Sequence, residues 1–219
     1  IEYEVLTPVT SPTEALAEGA PLIHENGNIM SKVDLKRGNP EEVIKNSKHI
    51  VTNHYSLPFT EHAFLEPETA VALMDDGGVV RIYSADQGVY QTMKECSEAL
   101  GLPHEKVRVT AAIIGGGFGG KEDMSVQHHA ALLAYLTGRP VKVSLTRAES
   151  IKVHPKRHAM EIEMTTACDG EGRLTAMKAV IVSDTGAYAS LGGPVLQRAC
   201  THAAGPYNYQ NIDISGTAV

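Results

Sequence analysis

The sequence predicts an α+β fold, a mixed β-sheet with helices. Two observations carry that expectation. Strand-like and helix-like patterns are interspersed along all 219 residues. Two Asp/Gly turn signals, Asp75-Asp76-Gly77-Gly78 and Asp169-Gly170-Glu171-Gly172, each sit between two β-patterned runs and read as hairpins. Hairpins pair strands antiparallel, which separates this chain from a doubly wound parallel sheet.

Residues 1–6 read as a short strand and residues 12–18 as a short helix, with a Pro/Thr/Ser segment between them. Residues 19–32 mix Gly, Pro and Asn and read as a connector. On that basis residues 1–32 are the tail of a preceding small α/β domain plus a linker, and residues 33–219 belong to a second domain. Asn39-Pro40-Glu41-Glu42 starts a helix, with an N-cap, proline at the first helical position and acids in the first turn; it ends near Ser47. Residues 49–57 alternate and predict a strand. Residues 69–74 and 79–84 form the first hairpin. Val89, Met93, Cys96, Ala99 and Leu100 have helical spacing, and Gly101 and Pro103 close that helix. Residues 107–114 predict a strand. Residues 123–136 are the clearest helix, with Gly138 and Pro140 beyond it, and residues 141–145 a short buried strand. Residues 159–166 and 174–183 make the second hairpin, and residues 196–202 a last helix. No short-period repeat or low-complexity segment interrupts this order.

With 42% hydrophobic and 21% charged residues, the composition is that of a globular chain and not a disordered one. A net charge of −7 and a pI near 5.8 argue against nucleic acid or an anionic membrane surface as partner. No apolar run approaches the roughly 20 residues of a membrane span. Residue 1 is Ile and no signal peptide opens the chain, so a piece of a longer cytoplasmic protein is expected. Cys96, Cys168 and Cys200 are far apart with no CxxC, which offers neither a zinc nor an iron–sulfur site and suits a reducing compartment. His154 and His158 stand at i and i+4 and His128 and His129 are adjacent, but there is no HExxH. Pro155 also disfavours a helix at His154, so no histidine metal site is expected.

The run Ile113-Ile114-Gly115-Gly116-Gly117-Phe118-Gly119-Gly120-Lys121-Glu122-Asp123 is the most informative stretch. Glycine lets a backbone approach a ligand closely and take positive φ. A helix start beyond it would offer free N–H groups to an anion. Gly115-x-Gly117-x-x-Gly120 fits a dinucleotide fingerprint, yet the next predicted strand ends in Thr146-Arg147, where that fold needs an acid for the ribose. Gly115-x-x-x-x-Gly120-Lys121 fits a P-loop, yet Glu122 stands where a hydroxyl should hold magnesium. A plain strand-to-helix turn would leave the bulky Phe118 amid the glycines unexplained.

A third reading joins the loop to distant residues. The Gly-Gly-Gly-Phe-Gly-Gly-Lys-Glu string of residues 115–122, with Gln87 closing Ser84-Ala85-Asp86-Gln87, resembles the molybdenum hydroxylase family. That family comprises the large subunits of xanthine dehydrogenase, aldehyde oxidase and carbon monoxide dehydrogenase. His62-x-x-Leu65-Glu66-Pro67, Asp169-Gly170 and Asp184-x-Gly186-Ala187-Tyr188 extend the resemblance in order along the chain. Arg198, in Leu196-Gln197-Arg198-Ala199, matches an arginine of the purine-oxidising branch. Residues 1–6 resemble the end of the small domain that precedes the cofactor domain.

The resemblance implies the first part of a molybdenum cofactor-binding domain. Its cofactor is a molybdopterin, in dinucleotide form, which carries the redox chemistry while the protein positions and polarises. No side chain ligates the metal directly. Gln87 is implied to hydrogen-bond an oxygen ligand of the molybdenum, and Gly117, Phe118 and Gly119 to form the cofactor-facing turn. The N–H groups of Phe118 and Gly119 would face the metal oxo group and the pterin; fixed donors in a dry site contribute on the order of several kcal/mol. Phe118 would also wall the substrate. Glu122 is implied to hydrogen-bond the heterocycle and to move a proton. Read without the family, it is an acid in the first turn of the following helix, stabilising it by roughly 0.3–1 kcal/mol. Arg198 is implied to stabilise charge on a purine carbonyl oxygen, a task that suits an always-charged forked donor. Glu122 and Arg198 together imply a purine-like N-heterocycle such as xanthine or hypoxanthine. An aldehyde or nicotinate-type substrate, or an inert module that keeps only the fold, are the other readings.

The family's catalytic glutamate near the far C-terminus, and the glycine-arginine loop expected just after Val219, are not in this sequence. The [2Fe-2S] clusters and FAD are implied on other domains or subunits, since three cysteines cannot hold two clusters. The implied partners are those iron–sulfur and flavin parts, the C-terminal remainder of the domain and a small heterocycle. The chain alone is expected to hold no molybdopterin and to turn over no substrate.

Overall fold

The computed structural model describes residues 1–219. In chain order its elements are α1 (Pro12–Leu16), β1 (Ser31–Arg37), α2 (Pro40–Asn46), β2 (His49–Leu57), β3 (Thr69–Met74), β4 (Val80–Ser84), α3 (Val89–Leu100), β5 (Val107–Ala111), α4 (Gln127–Thr137), β6 (Val141–Ser144), α5 (Arg147–Val153), β7 (Ala159–Cys168), β8 (Leu174–Asp184), α6 (Gly192–His202) and β9 (Asn211–Ala218). A 3-10 turn at His104–Lys106 precedes β5. The chain divides into two units, Ile1–Phe59 with His158–Val219, and the inserted Thr60–Arg157. Each unit has its own mixed sheet with helices, so the architecture is α+β with two sheets.

The inserted unit has strand order β5-β4-β3-β6, antiparallel except for the parallel β4–β5 pair. Asp75 closes the β3–β4 hairpin. Its Oδ1 accepts the N–H groups of Gly77 and Val79 at 3.0 and 2.9 Å, and its Oδ2 accepts Arg81 Nε at 2.7 Å. Ala70 and Ala72 on β3, and Val80 and Ile82 on β4, alternate onto the buried face. Cys96 of α3 and Ala130, Ala131 and Ala134 of α4 complete this core. The alanines keep α4 narrow where it lies on the sheet, and fully buried Val80 and Ile82 contribute roughly 1.5–3 kcal/mol each. Gly101, left-handed at φ 64, ends α3, with its N–H on Glu98 O and the Leu102 N–H on Ser97 O.

The other unit has strand order β1-β9-β8-β7-β2, antiparallel except for the parallel β8–β9 pair. The β7–β8 hairpin turns on Asp169, whose Oδ1 accepts the Glu171 and Arg173 N–H groups at 2.8 and 3.0 Å. Leu196 and Cys200 of α6 pack with Met177, Ala179, Ile181 and Ile214 of the sheet. A Cβ at Gly216 of β9 would meet Cys200 Sγ at 2.5 Å and Leu196 Cδ1 at 2.9 Å, so α6 packs directly on bare backbone there.

Several expected boundaries move. Residues 1–6 are not a strand: Ile1, Tyr3, Val5 and Leu6 are exposed, and no strand of either sheet pairs with them. The strand expected over residues 107–114 stops at Ala111, because its partner β4 ends opposite it at Ser84. The helix expected from residue 123 starts at Gln127, whose Oε1 accepts the Ser125 and Val126 N–H groups and so holds the preceding residues in a turn. The last helix begins earlier, at Gly192. Three elements had no expectation. They are β1, β9 and α5, the last opened by a capping box between Thr146 and Glu149. No helix is long and apolar enough to cross a membrane. All three cysteines are free thiols, and burial pushes Cys96 up to about 12, which makes it inert.

Candidate functional site

The glycine loop leaves the end of β5 and is met by residues from two other segments of the same unit. The first segment is the turn between β4 and α3. Asp86, buried there, accepts Gly88 N–H at 2.6 Å through Oδ1, and Thr92 Oγ1 at 2.7 Å through Oδ2. Those bonds pin the start of α3 and so place Gln87. The Gln87 N–H donates to Lys121 O at 3.0 Å. Its side-chain Oε1 accepts the N–H groups of Gly119 and Lys121 at 3.2 and 3.1 Å. Two donors aimed at one amide atom identify it as oxygen, which leaves Nε2 with its two N–H groups free to donate elsewhere.

Each glycine in the loop has a stated reason. Gly116 and Gly119 lie at φ 101 and 91, where a side chain is strained. A Cβ at Gly117 would run into the Gln87 carboxamide. One at Gly115 would meet Glu66 Oε2 at 2.9 Å, and one at Gly120 would meet Phe64 Cε1 at 2.8 Å and His62 Nδ1 at 2.9 Å. Phe118 is the exception. It lies in the left-handed region at φ 56 and the residue is 73% exposed. That conformation costs roughly 1–2 kcal/mol, and exposing the ring forgoes its burial. Ala63 and Ser190 are the other left-handed non-glycine residues, at φ 48 and 40.

The second segment is residues 61–68, containing the His62-x-x-Leu65-Glu66-Pro67 motif. Glu66 Oε1 accepts the Gly115 N–H at 2.7 Å and Lys121 Nζ at 3.1 Å. The Gly115 N–H first, and Lys121 with it, hold the Glu66 carboxyl below the usual carboxylate range. The Lys121 side chain is 1% exposed, and its ammonium lies 4.5 Å from the centre of the fully buried Phe64 ring. A buried ammonium is tolerated only with such partners. Beneath them, buried His154 lies 2.9 Å from Glu61 Oε1 and 3.3 Å from Glu68 Oε1, with Phe64 and His62 against its ring. Burial pushes the His62 imidazole below its usual value, and the neighbouring His154 adds to this. No group of three or more His, Cys, Asp or Glu side chains is arranged to hold a metal ion.

These contacts decide between the readings of the loop. Lys121 is committed to Glu66 and Phe64, so it is not a phosphate-binding P-loop lysine. The dinucleotide reading fails because α4 starts only at Gln127, and because β6 pairs antiparallel with β3, away from β5. Gln87, Gly117, Phe118, Gly119 and Glu122 all belong to Thr60–Arg157, and the first four meet at the loop. The Gly119 N–H is already donated to Gln87 Oε1, which runs against the direct ligand contact expected of it. Glu122 is exposed, forms no ion pair, and precedes α4 by too much to be its first-turn acid. Arg198 lies on α6 in the other unit, exposed and outside every ion pair. Glu66 and Lys121 stood in recognised motifs with no role assigned to either. Their signal was a glutamate beside a proline and a lysine next to a glycine run, which says nothing of their meeting.

The residues suit a pterin-bound molybdenum group in one testable respect: a fixed carboxamide donor stands next to a turn whose protein-facing side is filled. The chain belongs to the molybdopterin cofactor-binding domain family, whose profile matches residues 23–219. It is 40% identical over its full length to a probable xanthine dehydrogenase subunit of Bacillus subtilis strain 168, covering 29% of that protein. It is 39% identical over its full length to the nicotinate dehydrogenase large molybdopterin subunit of Eubacterium barkeri, covering 52% of it. Among solved structures, the aldehyde oxidoreductase of Desulfovibrio gigas superposes with a TM-score of 0.94 at 27% identity, over 99% of this chain and 24% of that one. The chain thus spans about half or less of the length of these relatives.

Proposed function

We propose that this chain is the first part of the molybdenum domain of a hydroxylase that oxidises a purine-like N-heterocycle such as xanthine or hypoxanthine. Residues 1–32 are then the tail of a preceding domain with its connector, and residues 33–219 open the cofactor domain. The observation that carries the reading is the Gln87 amide, whose oxygen is consumed by two loop N–H groups so that its NH2 is a fixed donor. When bound, a molybdopterin would supply the two-electron redox centre for hydroxylation with oxygen drawn from water, chemistry that no side chain here provides. The chain's own residues bind and orient. Gln87 Nε2 donates to an oxygen of the cofactor. Gly117 and Gly119 let the turn approach, and Phe118 presents its backbone N–H and walls the substrate. Glu122 bonds the heterocycle and transfers a proton at a ring nitrogen, while Arg198 neutralises charge on an exocyclic oxygen. Iron–sulfur and flavin domains or subunits take the electrons, and the free thiols suit a cytoplasmic setting.

One observation favours a second reading: the relative named nicotinate dehydrogenase is as similar as the one named xanthine dehydrogenase, 39% against 40%. Nicotinate carries a carboxylate, which a forked guanidinium such as that of Arg198 also binds well. The test assays the full-length protein with xanthine, hypoxanthine and nicotinate. The purine reading expects purine turnover that falls about a hundredfold in Glu122→Gln and in Arg198→Met at unchanged molybdenum content. Turnover of nicotinate alone selects the second reading, and unchanged kinetics in both variants removes the assigned roles. The isolated chain is expected to hold no molybdenum; stoichiometric metal in it would overturn that part.

A further inference from the structure

One carboxylate oxygen holds both ends of the glycine loop. Glu66 Oε1 accepts the Gly115 N–H at 2.7 Å, where the loop begins, and Lys121 Nζ at 3.1 Å, where it ends. Between these anchors lies Phe118 in its left-handed conformation, which an unrestrained aromatic residue avoids. Lys121 fills a buried site over Phe64 that an apolar side chain of similar length would fill without desolvating a charge. A buried ion pair adds little stability over such a replacement, so the charge has a task other than filling volume. That task is geometric. Glu66 is half-exposed, and without a cation beside it the carboxylate is free to turn towards water. The Gly115 N–H would then lose its acceptor, and the loop would keep only the Gln87 contacts on its other side.

We infer that Lys121 and Glu66 are positioning residues for the cofactor-facing turn, fixing both loop ends so that Phe118 keeps its conformation. The clamp itself rests on geometry. That the turn faces a cofactor rests on the proposed function above. Neither side chain needs to touch the ligand.

The test uses the full-length protein in three forms. Lys121→Met keeps the length and drops the charge. Glu66→Gln keeps an acceptor for Gly115 and drops the charge. Gln87→Ala removes the anchor on the other side. Hydrogen–deuterium exchange over residues 114–120 is read together with molybdenum content and kcat per bound molybdenum. Lys121→Met is expected to exchange about tenfold faster in that segment alone, as loss of a charge-assisted hydrogen bond implies. Glu66→Gln should show a smaller change, and kcat per molybdenum should fall in both, with KM rising as Phe118, which walls the substrate, loosens. Unchanged exchange in both variants overturns the clamp, even where Gln87→Ala lowers molybdenum content and so upholds the proposed function. Faster exchange spread evenly over residues 60–157 marks a merely structural pair and also overturns it. Faster loop exchange with unaltered molybdenum content and kcat leaves the clamp standing and removes the cofactor-facing reading. If Lys121→Met does not fold, Glu66→Gln carries the same comparison.

Discussion

Replacing Gly117 by alanine tests whether the loop and Gln87 are built against each other. The backbone at Gly117 is not at positive φ, so the substitution probes space and not conformation. The new Cβ would overlap Gln87 Oε1 and lie 2.5 Å from Cδ and 3.1 Å from Cγ. The loop backbone is anchored, so the Gln87 side chain is the part that moves. Its oxygen then leaves the Gly119 and Lys121 N–H groups. Each neutral hydrogen bond contributes about 1 kcal/mol net, so the local loss is about 2 kcal/mol, equivalent to roughly thirtyfold in an opening equilibrium. The Lys121 residue is buried, which makes its amide a clean reporter. Amide exchange of Lys121, followed by NMR on the 219-residue chain, should accelerate by about that factor. In a Gln87→Gly background the same substitution should add nothing. Equal acceleration with and without the Gln87 side chain would refute the reasoning, as would unchanged protection in the single variant.

The remaining predictions concern the support beneath the loop. His154→Leu leaves Glu68, which is buried and accepts no hydrogen bond, without the imidazole 3.3 Å away. Stability to urea should drop by about 3–5 kcal/mol, and adding Glu68→Gln should recover much of it; a double variant as unstable as the single one would show that charge is not the cause. His62 gives a pH dependence with a definite sign. Burial holds its pKa below 6.5, so the unfolded chain takes up a proton that the folded chain refuses. Stability is therefore full above about 6.5 and is lost as pH falls below it, and His62→Gln should flatten that slope in urea titrations. Gly216→Val should destabilise the other unit by roughly 1–3 kcal/mol, because its side chain meets Cys200 and Leu196 where α6 lies on β9; an unchanged urea midpoint would mean that α6 gives way freely.

What was legible in the sequence follows from how local each cause is. Asp75 and Asp169 close their hairpins with bonds to N–H groups two and four residues on, so the turn is visible within a short window. β9 depends instead on β1 and β8, which lie far back along the chain, and Gly216 breaks its pattern for the sake of α6. The loop divides the same way. Its glycines and Gln87 announce a close approach, but the string alone also fits a P-loop, because nothing local says that Lys121 is buried. That fact is supplied by Phe64 and Glu66, from a segment before β3. The glycines are therefore not equivalent. Gly116 and Gly119 serve backbone conformation, whereas Gly115, Gly117 and Gly120 make room for Glu66, Gln87 and the Phe64–His62 pair. With those side chains pressed against it, one side of the loop is already occupied by protein, and Phe118 stands on what is left. A substitution at residues 115, 117 or 120 is then felt through the fold, while one that trims the exposed Phe118 ring is felt mainly through whatever the turn binds.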